Sequence, residues 1–207
     1  RFSLCGYAQS TIPVSSQKGI NMGALVLALD DVIPEPERDP NAEPVMLIAR
    51  SFDVNKPGCN WKDVKGGVVG GSLIRGILHT DDKIEIRPGR QTQVENKIKW
   101  IPITTTITSI NAGTKTVSEA APGGLLGVGT KLDPALTKSD ALAGQVLGHE
   151  GKLPPVWDKI HCRVTLMERV VGATSELVIE PLKHSEPLML SVGTAVTVGV
   201  VTNTKKD

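Results

Sequence analysis

KGGVVGGSLIRGILHTDDKIEIRPG, residues 65 to 89, is the stretch that decides the fold. Two apolar runs, Val68–Leu73 and Lys83–Ile86, flank a turn-like segment with Asp81 and Asp82 near its end. β-branched residues at this density suit strands. The glycines remove side chains where another strand, or a ligand, must come close. Glycine-kinked strands are what a small closed barrel needs at its corners. The glycines therefore read two ways, as points where the sheet curls and as bare backbone for a ligand, and the readings are compatible. The Arg87-Pro88-Gly89 triplet is expected to end the second strand.

Working outward, residues 45–152 supply further short strands. Val45–Arg50 suits a central strand, and 51–65 is a polar excursion with turn chemistry at Asn55–Gly58. Residues 91–99 read as a polar, basic loop, 100–111 as a threonine-rich strand, 125–128 and 144–147 as two more. Short strands with glycine-rich turns predict a mainly β chain built on a small antiparallel barrel. Upstream, residues 34–44 hold four prolines and four acids in eleven positions, which makes a stiff, solvated linker. Before it, 11–14 reads as a short strand, Ser15 and Ser16 as a cap, and Met22–Ile33 as a helix from its apolar spacing. Strand feeding helix is the unit of an α/β domain, so residues 1–33 are expected to be the tail of one. Downstream, Pro154-Pro155 marks a second boundary. Residues 156–170 alternate in part, and 176–179, 187–193 and 197–200 read as strands of an incomplete second barrel over 153–207.

Composition narrows the function. The 207 residues carry a net charge of +1, so any hold on nucleic acid would be local. Aromatics are 3%, which disfavours base stacking as the main contact. Three distant cysteines fit neither a disulfide framework nor a zinc knuckle and suit a reducing, cytoplasmic setting. No stretch approaches eighteen apolar residues, so no membrane partner is expected.

No catalytic set emerges. The acids read as solvated, and His79, His149, His161 and His184 lie in unrelated contexts. Cys162 alternates with Ile160 and Val164 and reads as core. There is no GxxxxGK[ST] phosphate loop; the glycine-dense Pro122–Gly129 lacks its lysine-serine ending. Ser15 and Ser16 can cap the helix or touch a guanine base from the edge of an α/β domain. The basic loops 56–65 and 90–99 can hold phosphates or form a solvated face. Trp61, in a polar loop, belongs either to an interface or tucked on the barrel.

Several stretches carry a resemblance. Residues 50–58, RSFDVNKPG, with Lys65–Ser72, Ala121–Thr130, Leu132-Asp133-Pro134, Leu166–Ala173 and Leu188–Gly193, resemble the gamma subunit of translation initiation factor 2, archaeal or eukaryotic. The likeness implies a barrel of the translation-factor type, preceded by a short strand-helix remnant of an α/β GTP-binding domain and followed by part of a second barrel. It implies a factor that, with GTP and Mg2+ bound, carries initiator methionyl-tRNA to the small ribosomal subunit with alpha and beta subunits, the alpha subunit on the first barrel. On it, Ser15 and Ser16 correspond to the last guanine-recognition segment, where Ser16 stands in place of the usual alanine. The backbone of Gly66, Gly67, Gly70 and Gly71 and of Gly123 and Gly124 would border the pocket for the tRNA end, with Lys65 and Arg75 on phosphates. The phosphate loop, switches and lysine-aspartate motif are not in this sequence, so these residues alone are expected neither to bind nor to hydrolyse GTP well. Two rival readings are a protein-interaction barrel that docks the alpha subunit without touching RNA, and another tRNA-carrying translational GTPase.

Overall fold

The computed structural model describes residues 11–95, 97–167 and 179–205. The chain divides into two compact units, residues 1–38 and 39–207. The expected strand at 176–179 and the Leu166–Ala173 stretch lie largely outside the described residues.

In the first unit, residues 11–14 form no strand; the chain instead makes a tight turn closed by Ser15 N–H to the Ile20 carbonyl and the reverse, both 3.1 Å. Helix α1, Met22–Val32, follows as its spacing predicts. Its cap is not Ser15 or Ser16. Asn21 holds the N-cap position with φ 58° and no capping side-chain bond, because its Nδ2 donates to the Pro13 carbonyl instead, at 2.9 Å.

The second unit holds the strands β1 (Val45–Phe52), β2 (Val68–Arg75), β3 (Leu78–His79), β4 (Lys83–Val94), β5 (Lys97–Ala112), β6 (Lys115–Val117), β7 (Glu119–Ala120), β8 (Leu126–Thr130), β9 (Val146–His149), β10 (Pro187–Val192) and β11 (Ala195–Val200). Six of them run β4-β9-β1-β2-β8-β5, and β5 pairs back onto β4, so the ring closes. Alternation drives the closure: Met46 and Ile48 of β1, Val69 and Leu73 of β2 and Val128 of β8 point inward and are fully buried. Ile84, Ile86, Ile107, Ile110 and Leu147 complete the same core. Each such side chain contributes about 1.5–3 kcal/mol of burial.

Two glycines are required by this curl. A Cβ on Gly71 would sit 1.9 Å from the Leu47 carbonyl oxygen, and one on Gly66 would sit 1.9 Å from that of Thr130. At both positions the closely approaching group is the protein's own backbone.

Three expectations are corrected. The Arg87-Pro88-Gly89 triplet does not end its strand. β4 runs on to Val94, because the register of β4 on β5 shifts between Ile86 and Arg90 and the bulge accommodates a residue without an N–H. Residues 91–94 and 97–99 are consequently a projecting two-stranded ribbon and not a loop, with Gln91 opposite Trp100 and Thr92 opposite Lys99. Residues 156–167 form no strand, and Cys162 is exposed; outside a sheet, alternation alone buries nothing. β10 and β11 fall where strands are expected, and they pair with each other as an antiparallel hairpin.

Candidate functional site

Residues 50–55, at the head of RSFDVNKPG, are spent on ties between β1 and distant parts of the chain. Arg50 Nε donates to both carboxylate oxygens of Asp140, at 2.9 and 3.0 Å. Asp140 also accepts from the Ser51 N–H at 2.9 Å, and buried Ser51 accepts from the Leu142 N–H at 3.0 Å. The Phe52 carbonyl accepts from Thr137 at 3.2 Å, in a short helix α2 (Pro134–Thr137) that Asp133 caps. Asp53 accepts from the Asn55 backbone, at 2.8 Å. Asn55 then acts as an extra peptide group: its amide accepts from the Lys65 N–H and donates to the Lys65 carbonyl, both 2.7 Å. The 53–65 loop is thereby closed at its base and presents Trp61, 79% exposed, with the Lys62 ammonium 5.3 Å from the ring centre.

Topology sorts the candidate residues onto two rims. β1 and β4 are both antiparallel to β9, so their C-terminal ends lie at the same end of the barrel. That rim carries the 53–65 loop with Lys56, Lys62 and Lys65, and the ribbon with Arg90 and Lys99. Gly66 and Gly67 enter β2 there. Arg75 closes β2 at the opposite rim, about 23 Å away at the usual strand rise. Gly123 and Gly124 precede β8 at the Arg75 end, since Leu126 pairs with Gly71 and Gly129 with Val68. Gly70 and Gly71 lie between. The structure thus brings Lys65, Gly66 and Gly67 together, and Arg75, Gly123 and Gly124 together, as two groups along one strand pair. Gly67 is buried against Thr137; Gly123 and Gly124 have open space where a Cβ would project. Ser15 and Ser16 are in the tight turn of the first unit. No cluster of His, Cys, Asp and Glu among the described residues could hold a metal ion.

Charge is fixed at three carboxylates. The Arg50 side-chain bond, then the Ser51 N–H, hold Asp140 below the ordinary carboxylate range. Burial raises the Glu85 carboxyl, but the bonds from Arg87 (2.7 Å) and the Gly151 N–H (2.9 Å) outweigh it and leave it lowered. Arg87 in turn donates to the carbonyls of Leu153 and Pro154, at 3.0 and 2.8 Å, which ties the end of the barrel to the chain that leaves it. The third, Glu43, is lowered by Lys152 and then His149.

A polar cluster that sequence reasoning did not join sits on the Arg75 rim. His149 lies between Glu43 and Asp82, and Asp82 lies between His149 and His79. These residues are far apart in sequence, and only the β9–β4 and β9–β1 pairings assemble them.

A closed six-stranded antiparallel ring with a projecting ribbon places the chain among the translation-factor barrel proteins: residues 66–148 match the family described as Elongation factor Tu domain 2. Residues 158–207 match Initiation factor eIF2 gamma, C terminal. Translation initiation factor 2 subunit gamma of Pyrococcus horikoshii is 56% identical over 196 residues, covering 95% of this chain and 48% of the relative. The Pyrococcus abyssi protein of that name is 56% identical and the Methanococcus vannielii one 55%, with the same coverage. The chain belongs to the gamma-subunit family of translation initiation factor 2, and spans about half the length of the curated relatives it matches. No helix among the described residues is long and apolar enough to cross a membrane.

Proposed function

We propose that the protein serves in translation initiation as the subunit that, loaded with GTP and Mg2+, carries initiator methionyl-tRNA to the small ribosomal subunit alongside alpha and beta subunits. Residues 1–33 are read as the end of the GTP-binding domain, 45–152 as the first barrel and 153–207 as part of the second. The closed barrel continuing into a segment like the gamma C-terminal region is the observation that carries this reading. Nucleotide chemistry would rest on residues outside this sequence. Within it, the barrel supplies surface: Lys65 and Arg75, one at each end of β2, suit phosphates several nucleotides apart along an RNA stem, and the bare Gly123-Gly124 turn leaves room for a nucleotide. The test is initiator methionyl-tRNA binding by the intact GTP-loaded factor across a salt series. Lys65→Ala and Arg75→Ala should each weaken binding and reduce the salt slope by roughly one. Unchanged affinity and slope in both variants overturn the assignment.

A second role is favoured by one observation. Trp61 stands out of a loop clamped at its base, which suits a pre-formed anchor for a protein partner. Trp61→Ala should lower affinity for the isolated alpha subunit about tenfold or more and leave tRNA binding intact.

A further inference from the structure

The end of the proline-rich linker is bound down onto the barrel. The Asp39 carbonyl accepts from the Gly76 N–H at 2.8 Å. Gly76 has φ +72°, and a Cβ there would lie 2.4 Å from Pro44 Cα. One from Gly148 would lie 2.6 Å from the Pro44 carbonyl oxygen, so residues 39–44 fit the barrel end closely. Glu43 fastens them: one carboxylate oxygen is 3.2 Å from Lys152 Nζ and the other 3.3 Å from His149 Nδ1. The second ring nitrogen of His149 is 3.3 Å from Asp82 Oδ2. That oxygen also accepts from the His79 N–H at 2.7 Å, and the His79 ring stands 3.7 Å from it and 3.6 Å from Glu119.

Both nitrogens of His149 therefore face carboxylate oxygens. An ionised carboxylate only accepts, and a neutral imidazole has a single N–H. The neutral ring can satisfy one of its two neighbours and must turn a lone pair toward the other; the imidazolium donates to both. Lys152 and His149 hold the Glu43 carboxyl below its ordinary range, so it remains an anion wherever histidines titrate.

We propose that His149 is a pH-sensitive latch on the 39–44 strap, complete when the ring carries both protons and half-open when one is lost to water. The charges facing it are Asp82 from the β3–β4 turn, Glu43 and its partner Lys152, and beyond Asp82 the His79–Glu119 pair. Opening the latch weakens the hold on Glu43 or Asp82 without freeing the strap, since Lys152 keeps its bond. The 39–44 strap is then held on the barrel less tightly above the histidine range than below it.

Amide hydrogen exchange of the full chain tests this, read by mass spectrometry at about pH 5.5 and about pH 8 with each rate corrected for its intrinsic value. Protection of the strap amides and of Gly76 should be roughly three- to tenfold greater at the lower pH, the worth of one partly exposed charged bond. Amides of Ile48 and Ile86 in the core should show no such difference. His149→Gln should abolish it, and His79→Gln should keep it. Equal protection at both pH values in the parent, or a difference that survives His149→Gln or vanishes in His79→Gln, overturns the latch. If His149→Gln does not fold, Glu43→Gln decides: loss of the difference supports the latch and persistence overturns it.

Discussion

Gln145 is the residue whose removal tests the barrel's architecture most directly. It is 8% exposed, and its side chain meets the β4 bulge like a ladder partner: Oε1 accepts from the Gly89 N–H at 2.9 Å and Nε2 donates to the Gly89 carbonyl at 3.1 Å. The register shift between Ile86 and Arg90 takes Gly89 out of the β5 ladder, so Gln145 supplies what that ladder does not. Gln145→Ala strips two buried backbone groups of partners at about 1–3 kcal/mol each, and water entering the gap returns part of that. The expected cost is about 2–4 kcal/mol, a fall in melting temperature of roughly 5–15 °C for a chain of this size. Urea unfolding should show a lower midpoint at unchanged slope. Gln145→Glu sharpens the test. It keeps an acceptor for the Gly89 N–H but sets a carboxylate oxygen against the Gly89 carbonyl, so it should be worse than alanine near pH 7 and partly rescued in acid, where the carboxyl regains a proton to donate. A cost below about 0.5 kcal/mol for the alanine variant would refute the reasoning.

Two further outcomes follow from packing and charge. Gly71→Ala places a methyl group 1.9 Å from the Leu47 carbonyl oxygen, and its three nearest atoms are all backbone of Leu47 and Ile48, with no flexible side chain to give way. It should cost more than about 4 kcal/mol and abolish cooperative unfolding, whereas Gly127→Ala, whose Cβ would meet only Asn111 at 3.9 Å, should leave a cooperative transition. Glu85 has a folded-state carboxyl below its unfolded value, so its stabilisation is present above the ordinary carboxylate range and is lost as pH falls through the folded value. Glu85→Ala should cost about 2–4 kcal/mol at neutral pH by stranding half-buried Arg87, and should flatten the acid limb of a stability-against-pH curve; a parallel limb refutes the pairing.

Local chemistry was readable where short-range rules decide it. The β2 and β4 cores, the helix at 22–32 and the 187–200 hairpin follow from alternation, spacing and turn residues. Pro88 misled because a proline that ends most strands is tolerated in a bulge, and nothing near it in sequence shows that Gln145 waits across the sheet. The strap was hidden for a related reason. Glu43, Asp82, His149 and Lys152 look like solvated charges until three strands bring them together. Lys65 and Arg75, ten positions apart, read as neighbours in the chain but stand at opposite rims, because an extended strand separates what a helix or turn would gather.

The ring that β5 completes by pairing back onto β4 also governs how this chain meets others. A strand hydrogen-bonded on both flanks offers no row of idle amides for a foreign polypeptide to copy. Templated growth into fibrils therefore has no foothold on the cylinder itself. Among the described residues, the edges left open to sheet extension by another chain are those of β6, of the β3–β7 pair, of the ribbon formed by 91–94 and 97–99, and of the β10–β11 hairpin.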